Sequence, residues 1–327
     1  MAPQFVDTNA DGKLDIVAAT FDGSPHIAFG SDSGYAEPKH ILDASGKRIL
    51  FEQFWNYESE KWDKSAGQPQ EHCTSAVAFD WDADGDLDLL LGSYGDGNLY
   101  LQMNEGTPTT AKYTGKSVPV HAAGKPFQVP GGITTARLVD WDRDGLTDLV
   151  VGGYQDKEQG YGGGVWMYRN VGKKGAPSFA SGQVLVEPNR TESDGPTRPN
   201  SGLYPEVLDY DGDGDLDLIV GGFAEWTPEG RPLSDEEKAR VEELQASVAE
   251  TGKRMNKMYE TAFGDLDNSD EEAMDAAWQK LQASEEFQEV MAAMEKDHAE
   301  LGELVPSRKR ESYVWYYERL SGRTETL

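Results

Sequence analysis

Four short apolar runs recur along the chain, each following an acidic stretch and closing on alanine or glycine. They cover residues 14–19, 87–92, 148–153 and 217–222. Runs of this length, rich in β-branched residues and bounded by turn residues, predict buried β-strands rather than helices. A second strand-like stretch precedes each acidic segment, as at residues 76–79 and 136–139. The repeated unit is therefore a strand, an acidic turn and a buried strand.

A third strand follows each unit beyond a glycine-rich turn, at residues 26–29, 99–102, 165–169 and 313–317. Fourth strands are predicted at residues 49–54, 117–120 and 183–186, and the last repeat has no evident counterpart. The acidic turns begin at residues 7, 80, 140 and 209. Short strands in groups of four, repeated at this spacing, predict an all-β fold, either a β-propeller of four-stranded blades or another radial array.

The acidic turns share the pattern Asp-x-Asp/Asn-x-Asp-Gly-x-x-Asp, with oxygen side chains at positions 1, 3, 5 and 9. Hard cations such as calcium take six to eight oxygens at ~2.3–2.6 Å, and glycine at position 6 permits the sharp turn that converges them. Position 7 is expected to offer its backbone carbonyl, so its side chain varies. The predicted ligands are Asp7, Asn9, Asp11, Lys13 and Asp15; Asp80, Asp82, Asp84, Asp86 and Asp88; Asp140, Asp142, Asp144, Leu146 and Asp148; and Asp209, Asp211, Asp213, Asp215 and Asp217.

An EF-hand is excluded by the residues that come after each loop. That motif needs a bidentate glutamate at position 12 and flanking helices. Apolar residues occupy position 12 in all four loops, namely Ala18, Leu91, Val151 and Val220.

The four loops, each followed by Asp-Leu/Ile-Val/Leu, a glycine-rich turn and an aromatic strand, resemble the FG-GAP/VCBS repeats of integrin-α-like calcium-binding β-propellers. The resemblance covers roughly residues 3–230 and 311–320 and implies up to four Ca²⁺ ions, one per loop. It also implies that partners bind on the face opposite the calcium loops. Integrin-like propellers have seven blades, and only four repeats are visible. A small closed disc, a larger ring with blades preceding Met1, and closure by an oligomer all stay open.

The pattern changes after Pro232 to Glu-, Lys- and Ala-rich sequence with apolar residues at helical spacing. Capping-box signatures begin at Ser234 and Ser269. They predict an antiparallel helical hairpin over residues 233–305, with Ser284 as a candidate break. The propeller repeats then occupy residues 1–232, and residues 306–327 complete the fourth repeat, which the hairpin interrupts between its second and third strands.

Composition restricts the partners. The net charge is −29, from 59 acidic and 30 basic residues, which opposes binding to nucleic acid or an anionic membrane. No run approaches the ~18 apolar residues of a membrane span, and no signal peptide is recognised before the first strand. The lone Cys73 excludes an intrachain disulfide and is expected to be a buried thiol. Asn189 begins an N-glycosylation sequon.

Together these features predict a non-catalytic binding or adhesion module for a protein or a glycan. An extracytoplasmic location is expected, because loops of weak affinity suit millimolar calcium. The alternative is a secreted polysaccharide lyase or hydrolase on a propeller scaffold, but no His-Glu-x-x-His or Gly-x-Ser-x-Gly pattern occurs and no catalytic residue is assigned.

The aromatic residues at 54–57, Trp62 and Trp226 are either a glycan platform or packing between sheets. The hairpin either builds a ligand surface or only covers hydrophobic surface.

Overall fold

Small antiparallel sheets of consecutive strands make up most of the chain. The computed structural model describes residues 3–66, 69, 71–154, 162–188, 195, 198–264, 266 and 271–320. The first sheet contains β1 (Gln4–Val6), β2 (Asp15–Ala19) and β3 (Pro25–Ala28), then, after a hairpin of β4 (Gly30–Ser31) and β5 (Gly34–Tyr35), the short β6 (Lys39–His40). A separate hairpin of β7 (Gln53–Asn56) and β8 (Lys61–Lys64) follows.

The second and third sheets repeat this order with four strands each. The second is built from β9 (Cys73–Phe79), β10 (Asp88–Ser93), β11 (Leu99–Gln102) and β12 (Val118–Pro119). A two-stranded ribbon of β13 (His121–Ala122) and β14 (Lys125–Pro126) leads to the third. That sheet is built from β15 (Thr135–Val139), β16 (Asp148–Gly152), β17 (Val165–Tyr168) and β18 (Gln183–Val186).

The fourth sheet has three strands, β19 (Ser201–Leu208), β20 (Asp217–Trp226) and β21 (Lys309–Tyr317). Between β20 and β21 the chain forms the helices α1 (Asp235–Phe263), α2 (Glu271–Gln282) and α3 (Glu285–Leu304). Every acidic loop joins the first two strands of its sheet. The helices leave the fourth sheet at its other end, where Trp226 pairs with Lys309.

Successive sheets pack face to face through their second strands. Leu89 and Leu91 of β10 pack toward the first sheet, whereas Leu90 packs toward the third. In β16, Val150 packs against the fourth sheet. Because neighbouring side chains of a strand point to opposite faces, a strand covered on both sides needs the continuous apolar run seen in the sequence. Among the described residues, no hydrophobic cluster joins the first sheet to the fourth, so the four sheets form a series and not a closed ring.

The prediction of a fourth strand at residues 49–54 is wrong. Ile49 and Phe51, which are 2% and 0% exposed, fill the core between the first two sheets. The edge position beside β3 is occupied by β6, which pairs with β3 instead. The rest of that segment belongs to β7. The fourth strands predicted around residues 117–120 and 183–186 are confirmed as β12 and β18.

The three helices pack on each other. Ser234 caps α1 with a complete capping box, and Ser284, which accepts a hydrogen bond from the Phe287 N–H, separates α2 from α3. The shared core consists of Met255, Leu281, Phe287 and Val290. None of the helices in the described residues is long and apolar enough to cross a membrane. The predicted capping box at Ser269 and the sequon at Asn189 lie outside the described residues.

Candidate metal loops

Each acidic loop is folded by its own carboxylates. In the second loop, the Gly85 N–H donates to Asp80 (3.3 Å), the Asp84 N–H to Asp80 and Asp82 (3.1 and 3.2 Å), and the Asp86 N–H to Asp84 (3.0 Å). The other loops repeat this pattern, with one donor displaced by a residue in the fourth. Side chains that accept bonds from the turn in this way are held on its inner side.

Three loops bring carboxylate oxygens into a cluster of metal-site size. In each cluster the oxygens lie within 4.8 Å of one another. The clusters are Asp80, Asp82 and Asp84; Asp140, Asp142 and Asp148; and Asp209, Asp211 and Asp217. The first loop, where Asn9 replaces an aspartate, is not among the clusters found in the described residues.

The aspartate at position 9 has a second task that the spacing did not reveal. Asp88 is 1% exposed; one of its oxygens accepts the Trp81 N–H at the loop start (2.9 Å), and the other accepts the Asn104 N–H just after β11 (2.7 Å). The equivalent aspartates of the other loops, Asp15, Asp148 and Asp217, make the same two kinds of bond. Position 9 therefore ties the loop to the third strand with or without a metal ion.

Position 7 carries a buried or half-buried aspartate in two of the loops, Asp86 and Asp215. Asp86 is 2% exposed, and one buried oxygen each of Asp86 and Asp215 has no hydrogen-bond partner among the described residues. Burial, followed by the charges of Asp84 and Asp88, raises the pKa of Asp86 to about 6. A buried carboxylate without a partner is costly, and a divalent cation in the loop would remove that cost. The second and fourth loops thus fit a hard cation best.

The residue at position 4 takes the left-handed backbone conformation in all four loops. The φ angles are 54° at Ala10, 63° at Ala83, 61° at Arg143 and 79° at Gly212. For residues other than glycine this conformation costs roughly 1–2 kcal/mol. Only Gly212 carried a sequence signal for it, so this requirement could not be predicted from the other three loops.

In the third loop, the aspartates already form ion pairs with an arginine side chain. The Arg169 guanidinium lies 2.6 Å from Asp142 and 3.1 Å from Asp144. No sequence spacing predicted this pair, because Arg169 follows the third strand of the repeat and the two aspartates precede the second. A metal ion in this loop has to compete with that guanidinium for the same oxygens.

We therefore expect Arg169→Gln to tighten calcium binding at the third loop. Since exposed ion pairs are weak, the gain should be roughly 1.4- to fivefold in Kd, as measured by calorimetric titration. Arg137→Gln is the matched control, because Arg137 lies in the same sheet and pairs with Glu206 at 2.9 Å, away from the loop. Equal affinities in the two variants would show that Arg169 does not compete.

A second cluster of titratable groups surrounds Asp22, at the end of the first sheet remote from its loop. One oxygen of Asp22 accepts from His40 Nε2 (3.0 Å), Arg48 Nη2 (3.0 Å) and the Tyr57 hydroxyl (3.2 Å). Burial would raise the pKa of Asp22, but the hydrogen bond from Thr20 and the other contacts outweigh it and lower the pKa to about 2. Asp22, His26 and His40 also have metal-ligand spacing, yet Arg48 already neutralises the carboxylate.

Buried His72 should make the stability depend on pH. Burial lowers its pKa, and neither ring nitrogen has a partner among the described residues. The folded state favours the neutral ring. The contribution of His72 to the free energy of unfolding is therefore complete above its unfolded pKa of about 6.5 and is lost as the pH falls below that value.

We expect His72→Phe, which keeps a ring in the same space, to flatten the decline in free energy of unfolding between pH 7.5 and 5.5. The change in slope should approach about 1.4 kcal/mol per pH unit at most. Denaturant titrations in constant calcium measure it. The exposed His121 supplies the control variant, His121→Phe, and equal slopes for His72→Phe and the parent protein would contradict the assignment.

The family comparison agrees with the loops. The sequence model of the FG-GAP-like repeat family matches residues 80–151 and 140–220, which contain the second, third and fourth loops. Residues 80–220 therefore carry FG-GAP-like repeats. The resemblance stated from the sequence is thereby confirmed for these residues, and the first loop lies outside them.

Other comparisons add little to the FG-GAP-like assignment. No curated protein matches the chain. Among solved structures, the pore of the Photorhabdus luminescens Tc holotoxin, in a mutant form, is 16% identical over 67% of this chain and 8% of that one, with a TM-score of 0.31. This chain therefore spans a small fraction of the length of that protein, and so low a TM-score supports no structural argument.

Proposed function

We propose that the chain is a calcium-stabilised, propeller-type binding module that acts outside the cytoplasm on a protein or a glycan. The observation that carries this proposal is the clustering of loop carboxylates in FG-GAP-like repeats, with a buried Asp86 oxygen that lacks a partner among the described residues. Calcium would be held by the oxygens at positions 1, 3, 5 and 9 and the position-7 carbonyl, joined in the second and fourth loops by the side chains of Asp86 and Asp215.

The propeller proposal is supported by the order of the sheets. Each sheet consists of strands in sequence order. The second and third sheets pack on a neighbouring sheet on each side, through the two faces of their second strands β10 and β16. Radial β arrays are built in this way. The described sheets correspond to consecutive blades of an open arc, which further blades or a second copy would have to close.

The ligand face is proposed at the end of the sheets opposite the loops. The β7–β8 hairpin and the helices both emerge at this end, as extra structure added to the basic repeat. Calcium would then stabilise the scaffold from one end and leave the other end free for recognition. An extracytoplasmic location follows from the same proposal, because millimolar calcium suits such loops.

The alternative function is a secreted polysaccharide lyase or hydrolase. The Asp22 cluster favours it, because titratable groups grouped beside an open surface are typical of catalytic sites. His40 and Tyr57 are both partly exposed there. The charges of Asp22 and Arg48 are, however, satisfied by each other, which is the arrangement of a structural ion pair.

A glycan and protein array probed with the calcium-loaded chain, followed by product analysis of every bound polysaccharide, separates the two functions. Binding without new reducing or unsaturated ends supports the binding module. Product formation that is lost in Tyr57→Phe and retained in Tyr35→Phe would instead support the enzyme.

A further inference from the structure

One aromatic residue stands at the same place in each of the four repeats, fourteen positions after the first loop aspartate. These residues are Phe21, Tyr94, Tyr154 and Phe223. The position lies near the end of the second strand, on the side of the sheet remote from the calcium loops. The repeat therefore brings an aromatic row to the proposed ligand face.

Packing between the sheets accounts for only some of the aromatic residues in this row. Phe223 is 8% exposed and lies beneath the Arg310 guanidinium, 3.7 Å from its ring centroid. Phe21 and Tyr94, by contrast, are 61% and 39% exposed. Rings needed only to fill space between sheets would be buried in every repeat, so the exposed pair in the first two repeats requires another explanation.

Trp62 and the buried His72 connect the exposed pair through ring contacts. Trp62 lies on β8, is 42% exposed, and its ring is 6.1 Å from Phe21 and 5.2 Å from His72. His72 in turn stacks on Tyr94 at 4.5 Å with an interplanar angle of 22°. We call Phe21, Trp62, His72 and Tyr94 the aromatic platform. Exposed apolar patches rimmed by polar groups mark binding surfaces more often than chance exposure.

His72 lies beneath the exposed rings of the platform. It is 6% exposed, and neither nitrogen has a partner among the described residues. Both nitrogens are also shielded from the surface, so His72 supports the exposed rings by packing and does not contact a ligand. The preceding residue, Glu71, holds a left-handed backbone at φ 65°; such strain gathers at ligand sites.

Charge decides between ligand classes. The net charge of −29 repels polyanions, and the Arg48 guanidinium, which lies near this end of the first sheet, is paired with Asp22 at 3.0 Å. That pairing also leaves the buried Asp22 carboxylate neutralised and so unattractive to a cationic ligand. The sugar ring of a neutral oligosaccharide has an apolar C–H face that matches the negative face of an aromatic ring.

We propose that the aromatic platform binds a neutral oligosaccharide, with sugar rings on Phe21, Trp62 and Tyr94 and with His72 as the buried ring that supports them. This inference rests on the proposed binding function and names its ligand class. Two or more rings in a row favour a chain of sugars over a single one.

The experiment titrates the calcium-loaded full chain with cello-, xylo-, manno- and chito-hexaoses and with oligogalacturonate, followed by tryptophan fluorescence and calorimetry. At least one neutral hexaose is expected to bind, with little dependence on salt. Phe21→Ala and Trp62→Ala should each weaken it at least tenfold. Tyr35→Ala, which removes a ring that is 51% exposed at the loop end of the same repeat, should leave affinity unchanged.

The inference would be overturned if no neutral hexaose bound at millimolar concentration, if only oligogalacturonate bound and did so in a salt-sensitive way, or if binding survived both Phe21→Ala and Trp62→Ala. A protein captured by this face would also overturn it, while leaving the binding module intact. Melting curves with calcium are recorded for every variant. If calcium does not stabilise the parent chain, the proposed function fails whatever the sugar result.

Discussion

Calcium is expected to raise the melting temperature of the protein by about 5–10 °C. Each loop that binds only in the folded state adds roughly 2.7 kcal/mol at a hundredfold excess over its Kd. The two best-formed loops together give about 5 kcal/mol, and 1 kcal/mol corresponds to about 1.5 °C for a chain of this length. Without metal, the buried Asp86 faces four neighbouring carboxylates, which makes the metal-free state the less stable one.

Differential scanning calorimetry with calcium and with a chelator measures this effect. Magnesium is the control ion, because it demands near-octahedral geometry at ~2.0–2.1 Å and retains water, and it should raise the melting temperature less. A melting temperature indifferent to both calcium and chelator would contradict metal binding by the loops.

Asp88→Ala is expected to be the most damaging single substitution in a loop, with or without calcium. The change leaves the backbone N–H groups of Trp81 and Asn104 without their acceptor. An unsatisfied buried donor costs about 1–3 kcal/mol, so the loss in chelator should be roughly 2–5 kcal/mol. Relief of repulsion offsets part of this, because burial and the charges of Asp82 and Asp84 raise the pKa of Asp88. In calcium the destabilisation is larger, because the substitution also removes a metal ligand.

Asp84→Asn separates the two roles of the loop aspartates. Asp84 is exposed, and asparagine at this position can still accept the Asp86 N–H. The free energy of unfolding of the Asp84→Asn variant in chelator should equal or slightly exceed that of the parent protein. The increase in this free energy on adding calcium should be about 2–3 kcal/mol smaller in the variant. If Asp88→Ala and Asp84→Asn were equally stable in chelator, the bridging role of position 9 would be wrong.

Local signals made the loops and central strands predictable. Glycine and aspartate spacing determines the turn, and an apolar run without polar interruptions indicates a strand covered on both faces, as in β10 and β16. The same rule failed at residues 49–54. Ile49 and Phe51 are apolar because they fill the core between two sheets, and sequence alone does not distinguish such a filler from an edge strand.

Contacts between distant residues could not be predicted. Arg48 reaches Asp22 from beyond the first sheet, and Arg169 reaches Asp142 from the end of β17. No periodicity connects such residues, since their proximity depends on how strands and loops pack. The aromatic residue fourteen positions after each loop start is different, because its fixed offset was readable in the sequence and only its exposure needed the structure.

The most direct test is the calcium content of the purified chain after equilibrium dialysis, measured by elemental analysis. We expect at least the second and fourth loops to be filled at millimolar calcium, and the bound amount to fall by one equivalent in Asp84→Asn and again when Asp213→Asn is added. A folded protein that holds no calcium under these conditions, or an amount that neither substitution changes, would contradict the role assigned to the acidic loops.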